Sequence, residues 1–232
     1  MNTKWLTEKV DGFFNTIYPT LMALSNEKVK MKTITSSPLG DWNGGAIVVL
    51  PGRGGSGQGM IDRHKLHDTK MIAYQPDIEW YPMPRGPGDQ TEAVAGASES
   101  AIALLDKIKA YADLHKIDTR KIALVGHSAG AVMALTLAVT SDVPFAAVVS
   151  CNGCILDPSI IPECRHPDVP IWLYHNKDDK CFSWNERYLP TKDALLAKKY
   201  PIVCKEQEIG GHDVSSHDLK DVTHFLSKSL SR

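Results

Sequence analysis

Ile122-Ala123-Leu124-Val125-Gly126-His127-Ser128-Ala129-Gly130 decides how this chain is read. Four apolar residues run into a Gly-x-Ser-x-Gly turn, and a helix-forming run, Ala131 to Thr140, follows. The bare string is common by chance. The order strand, Gly-x-Ser-x-Gly, helix is the context that a nucleophile elbow requires. Such a turn holds the serine in a strained backbone conformation and aims its hydroxyl out of the sheet. The flanking glycines keep side chains away from neighbouring elements. The alternative is an ordinary strand-to-helix turn that happens to contain a serine.

Working outward, short apolar runs alternate with helical patterns. Strands are expected at Val29 to Thr35, Ala46 to Leu50, Lys70 to Tyr74, Lys121 to Val125, Phe145 to Ser150, Ile171 to His175 and Ile202 to Glu208. Several are uninterrupted Val/Ile/Leu/Ala runs, the signature of parallel strands covered on both faces. Helices are expected at Ala93 to His115, Ala131 to Thr140, Glu186 to Tyr200 and Ser215 to Leu230. The βαβ rhythm predicts an α/β chain with a mostly parallel, doubly wound sheet flanked by helices. Thr3 to Leu24 reads as an amphipathic helix outside that rhythm, and Tyr81 to Asp89 as a long proline- and glycine-rich loop. One domain over 1–232, with residues 1–25 as a helical extension, is the economical division of a chain this long.

Composition narrows the partners. Lys+Arg number 26 against 27 Asp+Glu, a net charge of -1. With no basic stripe, neither nucleic acid nor an anionic membrane is an expected partner. No stretch reaches the roughly 20 apolar residues that span a bilayer. Met1 to Val10 lacks the apolar core of a signal peptide, so the expected address is cytoplasmic. Five cysteines, an odd count, fit mostly reduced thiols there. Cys151-Asn152-Gly153-Cys154 has metal-site spacing, but only Cys164 and His166 lie nearby. Burial of Cys151 as a small hydrophobe is the preferred reading, with no metal.

A serine hydroxyl needs a base, and the base needs an orienting acid. In this elbow context the chain order is serine, acid, histidine. Asn176-Lys177-Asp178-Asp179 leaves the strand ending at His175 and offers two aspartates; Asp157 is a weaker third. Gly210-Gly211-His212 follows the last strand, and the glycines let the imidazole turn over the serine. His217 is the rival, and most other histidines are expected to be solvated. The Ala129 backbone N–H is the first expected oxyanion donor. The second should come from Pro51-Gly52-Arg53-Gly54-Gly55-Ser56-Gly57-Gln58-Gly59. That loop lacks the Gly-Lys-Ser/Thr ending and the spacing of phosphate-cradling loops.

From about residue 44 to 230 these motifs resemble the phospholipase/carboxylesterase branch of the α/β-hydrolases, which also holds acyl-protein thioesterases. The family's His-Gly-x-Gly loop is similar to Pro51-Gly52-Arg53-Gly54, which implies Arg53 as the second oxyanion donor. Its His-Gly-x-x-Asp motif aligns with His175-Asn176-Lys177-Asp178-Asp179 and selects Asp179 over Asp178. Its Gly-Gly-His is Gly210-Gly211-His212. Trp80-Tyr81-Pro82 looks like the segment that lines the acyl pocket, which implies Trp80 and Tyr81 as substrate-binding residues. Pro51 stands where the family has histidine, Asn176 where it has glycine, and His127-Ser128-Ala129 where many members have Phe-Ser-Gln.

The resemblance implies an α/β-hydrolase fold with Ser128, Asp179 and His212 catalytic and no cofactor. Small or medium soluble esters are the expected substrates, because the stretch from Cys154 to Pro170 is too short for a substantial lid. A thioesterase or lysophospholipase is the alternative activity, and a non-catalytic binder on a hydrolase scaffold the alternative class. Oligomeric state stays open, a homodimer included. Cys181 and Cys204 fall on adjoining segments, so a disulfide there would pin the acid loop; a cytoplasmic address favours two free thiols.

Overall fold

The computed structural model describes residues 29–83 and 90–232. The expected helix at Thr3 to Leu24 and residues 84–89 of the proline-rich loop lie outside the described residues. Seven strands form one sheet: β1 (Met31–Ser36), β2 (Ala46–Leu50), β3 (Lys70–Pro76), β4 (Ile122–His127), β5 (Ala147–Cys151), β6 (Ile171–Asn176) and β7 (Ile202–Gln207). Their order is β1-β3-β2-β4-β5-β6-β7. Only β1 runs antiparallel, against β3; every other pairing is parallel.

The apolar runs explain this placement. Every residue of β2 and β5 is buried, as parallel strands sheathed on both faces must be. Side chains alternate between two cores. Val48, Leu50 and Leu124 face one way, with Leu104 and Ile108 of α2 (Thr91–His115) and Met133 of α3 (Ala129–Thr140). Ile47, Val49 and Val125 face the other, with Ile61 of α1 (Gly57–His64) and Val222 and Leu226 of α5 (Ser216–Leu230). Burying each such side chain stabilises the fold by about 1.5–3 kcal/mol.

Two expectations need correction. Helix α1 was not expected, because Gly57 and Gly59 lower helix propensity. The Ser56 hydroxyl caps it by accepting the Gly59 N–H. The helix expected at Glu186 to Tyr200 is divided into a wide turn at Trp184–Tyr188 and α4 (Leu189–Ala197). Pro190 has no N–H to donate, so it suits only the first turn of a helix.

Helix α3 meets the sheet so closely that a Cβ on Gly130 would lie 2.0 Å from the Leu50 carbonyl oxygen. Backbone cannot retreat there. Gly130→Ala is therefore expected to destabilise by about 3 kcal/mol or more. At Gly59 an added Cβ meets only ordinary contacts, so Gly59→Ala should stabilise by about 0.5–1 kcal/mol. Urea unfolding of both variants checks the pair; equal midpoints would contradict the packing argument.

Candidate active site

The site assembles at the carboxyl ends of the parallel strands. Because β4 runs on to His127, Ser128 falls on the abrupt step into α3, with φ 56° and ψ -123°. Such a conformation costs roughly 1–3 kcal/mol and persists only where its surroundings enforce it. Here the Ser128 N–H donates to the Cys151 carbonyl at 2.9 Å. Its own carbonyl accepts from Ala131 and Val132 N–H at 2.9 and 3.1 Å.

The Ser128 Oγ lies 2.7 Å from His212 Nε2, and His212 Nδ1 lies 2.8 Å from Asp179 Oδ2. The structure thus brings together the three side chains that the motifs single out. The Asp179 carboxylate is fully buried. Burial alone would raise its pKa. Hydrogen bonds from His212 and from the Phe182 and Cys181 N–H groups outweigh that effect and hold it below the usual carboxylate value. The carboxylate is therefore charged and aimed at the imidazole.

The rivals take other places. Asp157 caps a short turn by accepting the Ser159 N–H, and His217 is exposed at the start of α5. Asp178 does not reach the imidazole. Its Oδ1 accepts the N–H groups of Gly210 and Gly211 at 3.0 and 2.7 Å. It is a loop anchor, not merely a solvated carboxylate.

Three further side chains hold the same loop, and sequence reading missed them. Asn176 Nδ2 donates to the carbonyls of Gly211 and Asp213 at 2.9 and 2.7 Å. Asn152 Nδ2 donates to Asp213 at 2.9 Å. His127 Nε2 sits 3.2 Å from the His212 carbonyl. Burial, then the nearby His212, lowers the His127 pKa, so a neutral ring donates there. A signal was present in the sequence: His127 and Asn176 occupy positions where the family motifs carry other residues.

The glycine loop approaches the serine from β2. A Cβ on Gly52 would stand 2.9 Å from Ser128 Cβ, so only glycine lets the chain pass there. The Gly55 N–H then bonds the Gly52 carbonyl at 3.0 Å, closing a tight turn that contains Arg53. The Arg53 guanidinium is mostly exposed, 3.7 Å from Glu79, which leaves its backbone N–H as the group of interest. The Ala129 N–H opens α3 and has no partner within the helix.

Trp80 and Tyr81 are 2% and 3% exposed. The Trp80 indole N–H donates to the Pro51 carbonyl at 2.7 Å, bracing the glycine loop from behind. All five cysteines are free, Cys181 and Cys204 exposed, so the structure holds no disulfide between them. Cys151 and Cys154 are buried thiols, and burial pushes both up to about 12. Two histidines depart from the expected exposure. His64 is buried and lowered to about 4, first by burial and then by Arg63. His175 is buried under the acid loop, with Nε2 2.7 Å from the Phe182 carbonyl.

No curated protein matches the sequence. Among solved structures, the fold is similar to esterase PE8 (TM-score 0.75, 21% identity, 87% of this chain and 100% of that one). It is also similar to the Bacillus cereus carboxylesterase (TM-score 0.71, 13% identity, 90% of this chain and 99% of that one). A third similar fold is Zea mays acyl-protein thioesterase 2 (TM-score 0.65, 19% identity, 86% of this chain and 99% of that one). The family model described as Phospholipase/Carboxylesterase matches residues 45–230. The chain belongs to this family of α/β-hydrolases and is a carboxylic ester hydrolase.

Proposed function

We propose that the protein is a serine esterase for soluble carboxylic esters of short to medium acyl chain. The observation that carries this reading is the unbroken relay from Ser128 Oγ through His212 to Asp179 Oδ2. His212 Nε2 takes the serine proton as Oγ attacks the ester carbonyl, then delivers it to the leaving alcohol. Asp179 keeps the proton on Nδ1 and stabilises the imidazolium. The Arg53 and Ala129 N–H groups receive the developing oxyanion. Water, activated by His212, then releases the acid from the acyl-serine. None of these steps calls for a metal or an organic cofactor.

Tight packing of the apolar cluster that holds Trp80 and Tyr81 supports a short to medium acyl preference. Trp80, Tyr81, Cys154 and Phe182 are all nearly or fully buried. Between β5 and β6 the chain makes only a short turn at Pro158–Ile160 instead of a lid. The five unpaired cysteines support a cytoplasmic address. Among the described residues, no helix is long and apolar enough to cross a membrane.

Ser128→Ala is expected to lower kcat on p-nitrophenyl butyrate roughly 10⁴-fold or more, with an unchanged circular dichroism spectrum. Wild-type turnover in that variant would overturn the mechanism.

The two aspartates should separate cleanly. Asp179→Asn removes the acceptor that fixes the imidazole tautomer and should cost roughly 10⁴-fold in kcat. Asp178→Asn keeps an acceptor oxygen for Gly210 and Gly211 and should cost little. Asp178→Ala frees the loop, and a shift of about 1 Å there costs up to about 100-fold. A larger loss in Asp178→Asn than in Asp179→Asn would reverse the assignment.

A p-nitrophenyl series from acetate to palmitate tests acyl length, with kcat/KM expected to peak short of decanoate. A maximum at laurate or longer would favour a lysophospholipase or acyl-protein thioesterase instead.

A further inference from the structure

We infer that Asp179, Cys181 and His212 form a binding site for a divalent transition-metal ion of the zinc type, and that occupying it switches the enzyme off. The inference about the switch rests on the proposed roles of Ser128 and His212. The site itself rests on geometry. One carboxylate oxygen of Asp179, the thiol sulfur of Cys181 and a ring nitrogen of His212 lie within 4.8 Å of one another. Asp179 is buried, His212 is partly exposed and Cys181 is exposed. A metal can therefore enter from solvent, with water completing its fourth position.

The arrangement needs little adjustment. Zinc bonds of about 2.0–2.2 Å to oxygen and nitrogen and 2.3 Å to sulfur put tetrahedral ligand atoms about 3.3–3.7 Å apart. The His212 Nδ1 to Asp179 Oδ2 separation of 2.8 Å must open by about half an ångström. The sulfur must close by about 1 Å at most, within reach of a turn of an exposed Cys side chain. Its backbone is already fixed, since the Cys181 N–H donates to Asp179 Oδ1 at 2.7 Å. Sulfur with nitrogen and oxygen selects zinc, cobalt or copper over calcium and magnesium, which prefer oxygen ligands.

Metal at Nδ1 would invert the tautomer. In the active enzyme Nδ1 carries the proton and donates to Asp179, leaving a lone pair on Nε2 toward Ser128. With the metal on Nδ1, neutral imidazole carries its proton on Nε2 instead. That nitrogen then donates to Ser128 Oγ and cannot take its proton. The Cys181 thiol loses its proton to solvent and binds as thiolate. The imidazole proton moves from Nδ1 to Nε2 through solvent, so one proton is released per metal bound. The Cys181 side chain has no part in hydrolysis itself, which is why its removal should spare turnover.

Cobalt(II) serves as the probe, because a thiolate–cobalt bond gives a near-ultraviolet charge-transfer band independent of activity. The wild-type protein is expected to bind one cobalt ion with that band. Cys181→Ala and His212→Ala should lose it; Cys204→Ala and Ser128→Ala should keep it. Zinc should inhibit wild-type ester hydrolysis, and a chelator should restore it. Cys181→Ala should retain kcat within about twofold and need at least about tenfold more zinc, the least that loss of even an outer partner costs a metal site. A wild-type protein without the band, or a band that survives Cys181→Ala, overturns the site. The expected bands with turnover untouched by zinc overturn the switch alone. Failure of the serine mechanism is read separately, from full activity in Ser128→Ala without metal.

Discussion

Ser128 is held where an L-residue resists going, at φ 56° and ψ -123°. Everything around the elbow serves to keep it there. The Cys151 carbonyl takes its N–H from the neighbouring strand, and α3 starts on its carbonyl. Gly130 lets that helix press against Leu50, and Gly52 lets the glycine loop pass over the serine side chain. The strain of roughly 1–3 kcal/mol is small beside the two apolar cores that enforce it. A fully buried central strand is what makes so exact a backbone step affordable.

The acid is held by different means. Asp179 is a charge without solvent, a costly state unless hydrogen bonds surround it. Two backbone N–H groups meet Oδ1 and the imidazole meets Oδ2. The Phe182 carbonyl, in turn, is tied to His175 below the loop. The loop therefore closes on its own carboxylate. Its direction follows from backbone geometry and not from neighbouring lysines, which stay at the surface.

The fold and the strained elbow were legible because both are written in local pattern. Apolar runs of five or six residues become buried parallel strands, and Gly126 to Gly130 becomes the elbow. Asp179 was legible only through the family motif; spacing alone left Asp178 open. Helix α1 stayed hidden because its cap and glycines look like a loop, while its apolar Met60 and Ile61 find their contacts only against the sheet and α5, far apart in sequence. The supports of the histidine loop stayed hidden for a related reason. His127, Asn152 and Asn176 come from three different strand ends, and nothing in one-dimensional spacing says that they converge. Tertiary hydrogen bonds leave no period.

That convergence explains what Asn176 is for. The family's glycine at this position has no side chain to offer, whereas the buried Asn176 amide is fully used. Its oxygen accepts from the Tyr174 hydroxyl at 2.9 Å, and its nitrogen bridges Gly211 and Asp213. Gly210 and Gly211 allow His212 to turn, but they also leave the loop with little packing of its own. Each side-chain bond to such a backbone contributes about 0.5–1.5 kcal/mol, and leaving Asn176 unpaired would cost more than that. The serine is thus fixed by a packed core together with the backbone bonds of strand and helix, and the histidine loop by side-chain polar contacts. Polar contacts yield to competing ligands more readily than a packed core does. A change in the rate of this enzyme should therefore begin at the histidine and acid loops, beside the exposed thiol of Cys181, and not at the elbow.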